Sequence, residues 1–195
     1  MSILDTLVID RTEQDVERLK TIFQKGLPNM SADEYQYLIR GELEVLEDSV
    51  ADDLVDANGL TIQSRDGVLP KGAYNYQDLN RVIEAVEYVT ELIRSAGYAI
   101  DDPVPVKSGQ YTVEDIPTVE QMEIYLENVE RVKNRLPLVN IRYPSIPSVP
   151  ADMERLLPNE ANDIEKILPL IPDTVERIEA ERLAFFSGEL YGGEV

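Results

Sequence analysis

Apolar residues recur at three- and four-residue spacing in four long stretches of this chain, which is the pattern of helices with one buried face. The clearest runs from Lys71 to Tyr98. Asn75 is placed to cap a helix, Asp78 falls where a carboxylate favours the first turn, and Gly97 can stop the helix in a left-handed conformation. Between them Leu79, Val82, Ile83, Val86, Thr90 and Ile93 line one side, so a helix is predicted over 76–96. Thr12 opens an earlier one, with Val16, Leu19, Ile22 and Phe23 as its apolar face and Gly26 as its end. Ser31 with Glu34 repeats the reciprocal cap before Tyr35, Leu38 and Ile39. Thr118 with Gln121 opens a third long helix, over 119–135, along Val119, Met122, Tyr125, Leu126, Val129 and Val132.

The last helical block, 159–185, starts near Pro158, which suits a first turn. Ile164, Ile167, Leu168 and Ile171 line it, and Val175, Ile178, Leu183 and Phe186 continue the pattern. Pro169 and Pro172 each remove an amide donor and crowd the preceding turn, so they must kink or split the block. The connections differ in kind. Residues 41–70 are acidic at first, with Leu43, Leu46, Val50 and Leu54 at helical spacing, and then offer a small β-hairpin near 60–69 with Arg65-Asp66-Gly67 as its turn. Residues 137–150 carry four prolines and no glycine, the composition of an extended, semi-rigid strap. The tail SGELYGGEV is glycine-rich and has no core pattern. The fold class expected is mainly α: amphipathic helices in a bundle, joined by extended Pro-rich segments. Three regions follow, namely 1–70 as an attachment region, 71–136 as the helical core, and 137–195 as strap, final helix and tail.

Composition narrows the chemistry. With no histidine and no cysteine, the commonest bases, nucleophiles and zinc ligands are missing, and disulfides are ruled out. Glycine-rich phosphate loops and the nucleophile elbow are absent from the sequence, so no catalytic, metal or cofactor residue is assigned and the expectation is a non-enzymatic protein. Asp56-Ala57-Asn58-Gly59 resembles the middle of a calcium loop, but position one would be Leu54 and position twelve Arg65, so it reads as a turn. Asp101-Asp102 before Pro103 reads likewise. The formal charge of −20 repels phosphate backbones, which argues against nucleic-acid binding. Seven acids and no base fall in 41–58, a solvated face or a docking surface for a basic neighbour. The apolar runs are too short to span a bilayer, and the N-terminus lacks the basic start and apolar core of a signal peptide.

Six sequence words carry a resemblance: IDRTEQDVERLK (9–20), KGLPNMSADEYQYL (25–38), KGAYNYQDLNRV (71–82), DIPTVEQMEIYLENV (115–129), NEANDIEKIL (159–168) and SGELYGGE (187–194). Their content and order are similar to a family of tail-associated structural proteins of Firmicutes phages and prophages, from the baseplate or tail-fibre region. The chain departs from that family in the insertion at about 41–70 and in having no tryptophan near Tyr111 and Phe185. The resemblance implies a virion component without catalysis, made in the host cytoplasm and packed against other tail proteins and copies of itself. Two other roles stay open: a module of the tail that binds cell-wall glycan, and an acidic assembly factor absent from the finished particle. Tyr76, Tyr88 and Tyr125 sit on or beside helix stripes and are expected in the core or at its boundary. Tyr74, Tyr111, Tyr143 and Tyr191 fall in extended or turn segments, where an exposed ring can anchor an interface. With Leu190 and Val195 of the tail, Tyr74, Tyr111, Tyr143 and Tyr191 are the candidate docking residues. A short echo, Gln14-Asp15-Val16-Glu17-Arg18-Leu19 against Gln77-Asp78-Leu79-Asn80-Arg81-Val82, is read as shared helix-start chemistry rather than a repeat.

Overall fold

A computed structural model describes residues 2–34, 72, 74–112, 114–137, 141–149 and 156–191. The protein is mainly α, with five helices among these residues: α1 Glu13–Lys25, α2 Tyr76–Ser95, α3 Val119–Arg135, α4 Pro158–Ile167 and α5 Leu170–Tyr191. The hairpin expected near 60–69 and the acidic stretch 41–58 lie outside the described residues.

The caps fall where the sequence puts them. Thr12, Asn75 and Thr118 each accept from the first turn, while Asp15, Asp78 and Gln121 return the bond to the cap's own amide. Ser31 and Glu34 make the same reciprocal pair, at 3.0 and 3.2 Å. Helix α2 ends on Gly97 at φ +88°, with the Gly97 amide bonded to Arg94 O (2.9 Å) and the Tyr98 amide to Ile93 O (3.2 Å). A side chain at position 97 would strain this left-handed end. Pro169 lies in the break between α4 and α5, and Pro172 is the third residue of α5, where its missing amide costs no helical bond.

Helix α2 packs on α3, α3 on α4, α4 on α5, and α5 back on α2. Val82, Val89 and Ile93 of α2, Tyr125, Val129 and Val132 of α3, Ile164 and Ile167 of α4, and Ile171 of α5 meet in one core with almost no exposure. Burial of this apolar surface, at about 25 cal/mol per Å², is the main stabilising term. The strap joins the same core: 141–149 forms neither helix nor strand, and Tyr143, Ile146 and Val149 pack against the helices. Lys133 Nζ donates to Pro144 O (2.7 Å), and the hydroxyls of Tyr143 and Thr174 are bonded. At the other end of the chain, a short 3-10 turn, Ile3–Thr6, lies on α2 and brings Ile3, Leu4 and Leu7 to the core. In helix α1, Val16 is buried and borders a small cavity with Arg11, Tyr74, Leu156 and Ala161, while Ile22 packs with Leu19 and Met30 in a small cluster.

Some expectations are corrected. Phe23 and Val119 belong to predicted stripes yet stand 39% and 44% exposed, because each lies at the edge of its helix's buried arc. Leu183 is 70% exposed: α5 leaves the core after Ile178, and residues 179–185 all face outward. The last helix, expected to stop at 185, continues through 187–191. Propagating a helix adds one bond per residue once its nucleus exists, and the core-packed start of α5 supplies that nucleus. Tyr191 is therefore the last helical residue and not part of a turn segment. Tyr88, expected in the core or at its boundary, is 44% exposed.

Candidate functional site: a buried charge cluster and three asparagine clamps

The densest chemistry in the fold is buried. Arg11 and Asp78 are 5% and 2% exposed, Arg81 6%, and Glu165 0%. Arg11 comes from the segment before α1, Asp78 and Arg81 from the first turns of α2, and Glu165 from the last turn of α4. Arg11 Nη2 lies 2.6 Å from Asp78 Oδ1 and 2.7 Å from Glu165 Oε1. Arg81 Nη2 donates to both Glu165 oxygens at 3.1 Å and also pairs with Asp78. Two guanidinium groups thus face two carboxylates, so the buried group is charge-balanced.

Each side chain also holds backbone. Asp78 divides its oxygens: Oδ2 accepts the Asn75 amide (2.9 Å) as the helix cap, while Oδ1 receives the arginines. Glu165 Oε2 accepts the Val8 amide at 2.6 Å, and Arg11 Nη1 donates to Val8 O at 2.6 Å. The Arg11 guanidinium carbon sits 5.3 Å from the centre of the Tyr74 ring. The hydroxyls of Tyr74 and Tyr125 bond to each other beneath it.

Burial pushes the Glu165 carboxyl up, against the pull of Arg81 and Arg11. For both arginines burial acts against the charge, but Asp78 and then Glu165 outweigh it, and their values rise. Burial raises Tyr74 and Tyr125 well above the ordinary phenol value, so both hydroxyls are neutral donors and acceptors.

Three asparagines repeat one device. Asn162 Oδ1 accepts the Arg11 amide (2.8 Å) and its Nδ2 donates to Arg11 O (2.9 Å). Asn80 does the same to Tyr111, at 2.7 and 2.8 Å, and Asn128 to Val104, at 2.9 and 2.7 Å. A carboxamide offers one acceptor and a donor side by side, so it can satisfy both main-chain groups of one extended residue. Helices α2, α3 and α4 each pin a non-helical segment in this way. Between two of the clamps, α2 and residues 103–110 border a cleft of about 350 Å³. Much of its polar lining is already engaged: besides the two asparagines, Glu84 accepts from Gln110 (3.1 Å) and Lys107 pairs with Asp115.

The candidate docking residues separate on this geometry. Tyr111 is 3% exposed and lies in the core, so it presents no ring at the surface. Tyr74 and Tyr143 are half-buried, with hydroxyls bonded to Tyr125 and Thr174 and rings packed on the core. Those three are structural anchors within the fold. Leu190 and Tyr191 close helix α5, and Val195 lies outside the described residues. Asp102 pairs with Arg94 at 2.6 Å, and the turn expected at Asp101-Asp102 is not formed there.

The cluster was not anticipated from sequence, although a signal exists. In α4 the buried face runs Ala161, Ile164, Glu165, Leu168, so Glu165 occupies a stripe position. A charge on an apolar stripe needs a buried partner. Among the described residues, no group of three or more acidic side chains is arranged to hold a metal ion, and no helix is long and apolar enough to cross a membrane. Comparison of the chain with protein-family models, curated proteins and solved structures gives no match.

Proposed function

We propose that this protein is a non-enzymatic structural component of a phage tail or tail-like particle, in the baseplate or fibre region. It acts by holding shape and by packing against copies of itself and neighbouring tail proteins. The observation that carries this reading is the use made of the charged groups. Arg11, Asp78, Arg81 and Glu165 are neutralised by each other and serve to bind three distant segments into one body. Charges committed in this way are ion-paired scaffold rather than poised acids or bases. The resemblance in six ordered sequence words supports the location, and the projecting end of α5, with Leu183 exposed, offers an apolar surface for assembly.

Antibody labelling of purified particles under the electron microscope tests the reading. Label confined to one end of the tail is expected. Particles that carry neither label nor the protein on a blot would instead favour a temporary assembly factor.

A further inference from the structure

The cleft of about 350 Å³ between α2 and residues 103–110 falls within the size range of ligand sites, about 300–1,000 Å³. Much of its lining is apolar: Ile83, Val86, Val104 and Val106, with Pro103 and Pro105. Val104 is 42% exposed and Pro105 is exposed too, so the cleft opens to solvent on that side. The prolines bring no N–H to the lining. Its side-chain donors have partners within the protein. Asn80 donates to Tyr111 O, Asn128 to Val104 O, Lys107 to Gln110 O, and Gln110 to Glu84. Acceptors are left over. Glu84 and Glu87 line the cleft one turn apart on α2, and both are exposed. Glu84 uses only Oε1 for Gln110, and Glu87 makes no hydrogen bond or ion pair among the described residues. Like charges this close on a helix repel. Lys107, the cation of the lining, is matched by Asp115 and does not relieve them.

We propose that this cleft docks an arginine or lysine side chain of a partner protein, its stem against Val104 and Val106 and its charged head at Glu84 and Glu87. Only these two side chains combine a long apolar stem with a head that donates and does not accept. That is the complement of an apolar cleft with spare carboxylate oxygens. The open side at Val104 and Pro105 leaves the partner's main chain outside while the side chain enters. A formal charge of −20 draws basic partners toward this surface. The site lies apart from the projecting end of α5 and does not depend on where the protein resides.

NMR titration of the full-length, isotope-labelled protein tests it, with acetyl-Gly-Arg-Gly-amide and its lysine counterpart as probes. Saturable amide shifts are expected at Ile83, Glu87, Val104 and Val106 with at least one of them. The citrulline peptide, which keeps the stem and loses the charge, should bind severalfold more weakly than the arginine peptide. Glu87→Gln removes a charge that has no partner in the fold, so it should leave the melting temperature in place and weaken binding severalfold. Glu179→Gln, at an exposed carboxylate of α5, should leave binding unchanged. Shifts that do not saturate with either probe, that spread over other acidic surfaces, or that respond equally to both substitutions overturn the proposal. Tighter binding of n-propylguanidinium than of the peptides assigns the cleft to a free cation and overturns docking of a chain. The readout uses purified protein, so absence of the chain from tail particles would leave the docking site standing.

Discussion

Arg11 and Asp78 are 67 residues apart in the chain and meet at 2.6 Å, both buried. Removing one member of such a pair leaves the other charge unpaired in a low dielectric. Arg11→Ala is therefore expected to cost about 3–5 kcal/mol of stability. Arg11→Lys should recover only part of it, because an ammonium cannot span Val8 O, Asp78 and Glu165 with the guanidinium's planar fork. Urea unfolding measures both, and a loss below about 1 kcal/mol for Arg11→Ala, the range of an exposed ion pair, would contradict the account.

The asparagine clamps predict a local effect. Asn128→Ala leaves the amide and carbonyl of Val104 without their partners. A destabilisation of about 1–3 kcal/mol is expected. Hydrogen exchange at Val104 should accelerate beyond the global change, and Asn128→Asp, which keeps the acceptor but loses the donor, should fall short of full rescue. Equal exchange rates at Val104 in wild type and Asn128→Ala would contradict the clamp.

Asp115 gives a pH test. Its carboxylate pairs with Lys107 and accepts from the Thr112 amide (2.7 Å) and hydroxyl (2.8 Å), which holds its pKa at about 2, below the ordinary 3.8. The folded value is depressed, so this contribution is present above pH 3.8 and lost as the pH falls toward about 2. Carboxyl carbon shifts of Asp115 followed by NMR should give a midpoint near 2, and a midpoint at the ordinary value would contradict the loop geometry.

Stability and assembly should separate along α5 and its neighbour. Ile164→Ala, at a fully buried position, is expected to cost about 2–5 kcal/mol. Leu183→Ser, on the projecting part, should change stability by less than about 0.5 kcal/mol. Deleting 187–195 should likewise leave the core's melting temperature in place, yet abolish incorporation into particles. Normal incorporation of the deleted chain would remove the C-terminal end from the assembly surface.

The four long helices were legible because their caps are local. Thr12 with Asp15, Asn75 with Asp78 and Thr118 with Gln121 declare themselves within four residues, and Gly97 and Pro169 mark ends by backbone chemistry alone. The echo between 14–19 and 77–82 has the same cause, since Asp15 and Asp78 are both reciprocal caps. What sequence could not supply is pairing at long range. Arg11 looks like one more surface base until Glu165 is seen to occupy a buried position of α4. Tyr111 looks like an exposed loop ring until Asn80 draws its backbone onto α2. The exposed half of α5 was missed for the converse reason: Leu183 keeps helical spacing, but the helix has run past the partners that would cover it.

A permanent tail component, as proposed, stays with the particle through purification. The deciding measurement is its amount in gradient-purified, denatured tail particles against a known tail protein. A fixed copy number per particle, unchanged by further purification, is the result expected. Particles free of the protein while it remains abundant in the infected or induced cell would contradict the claim.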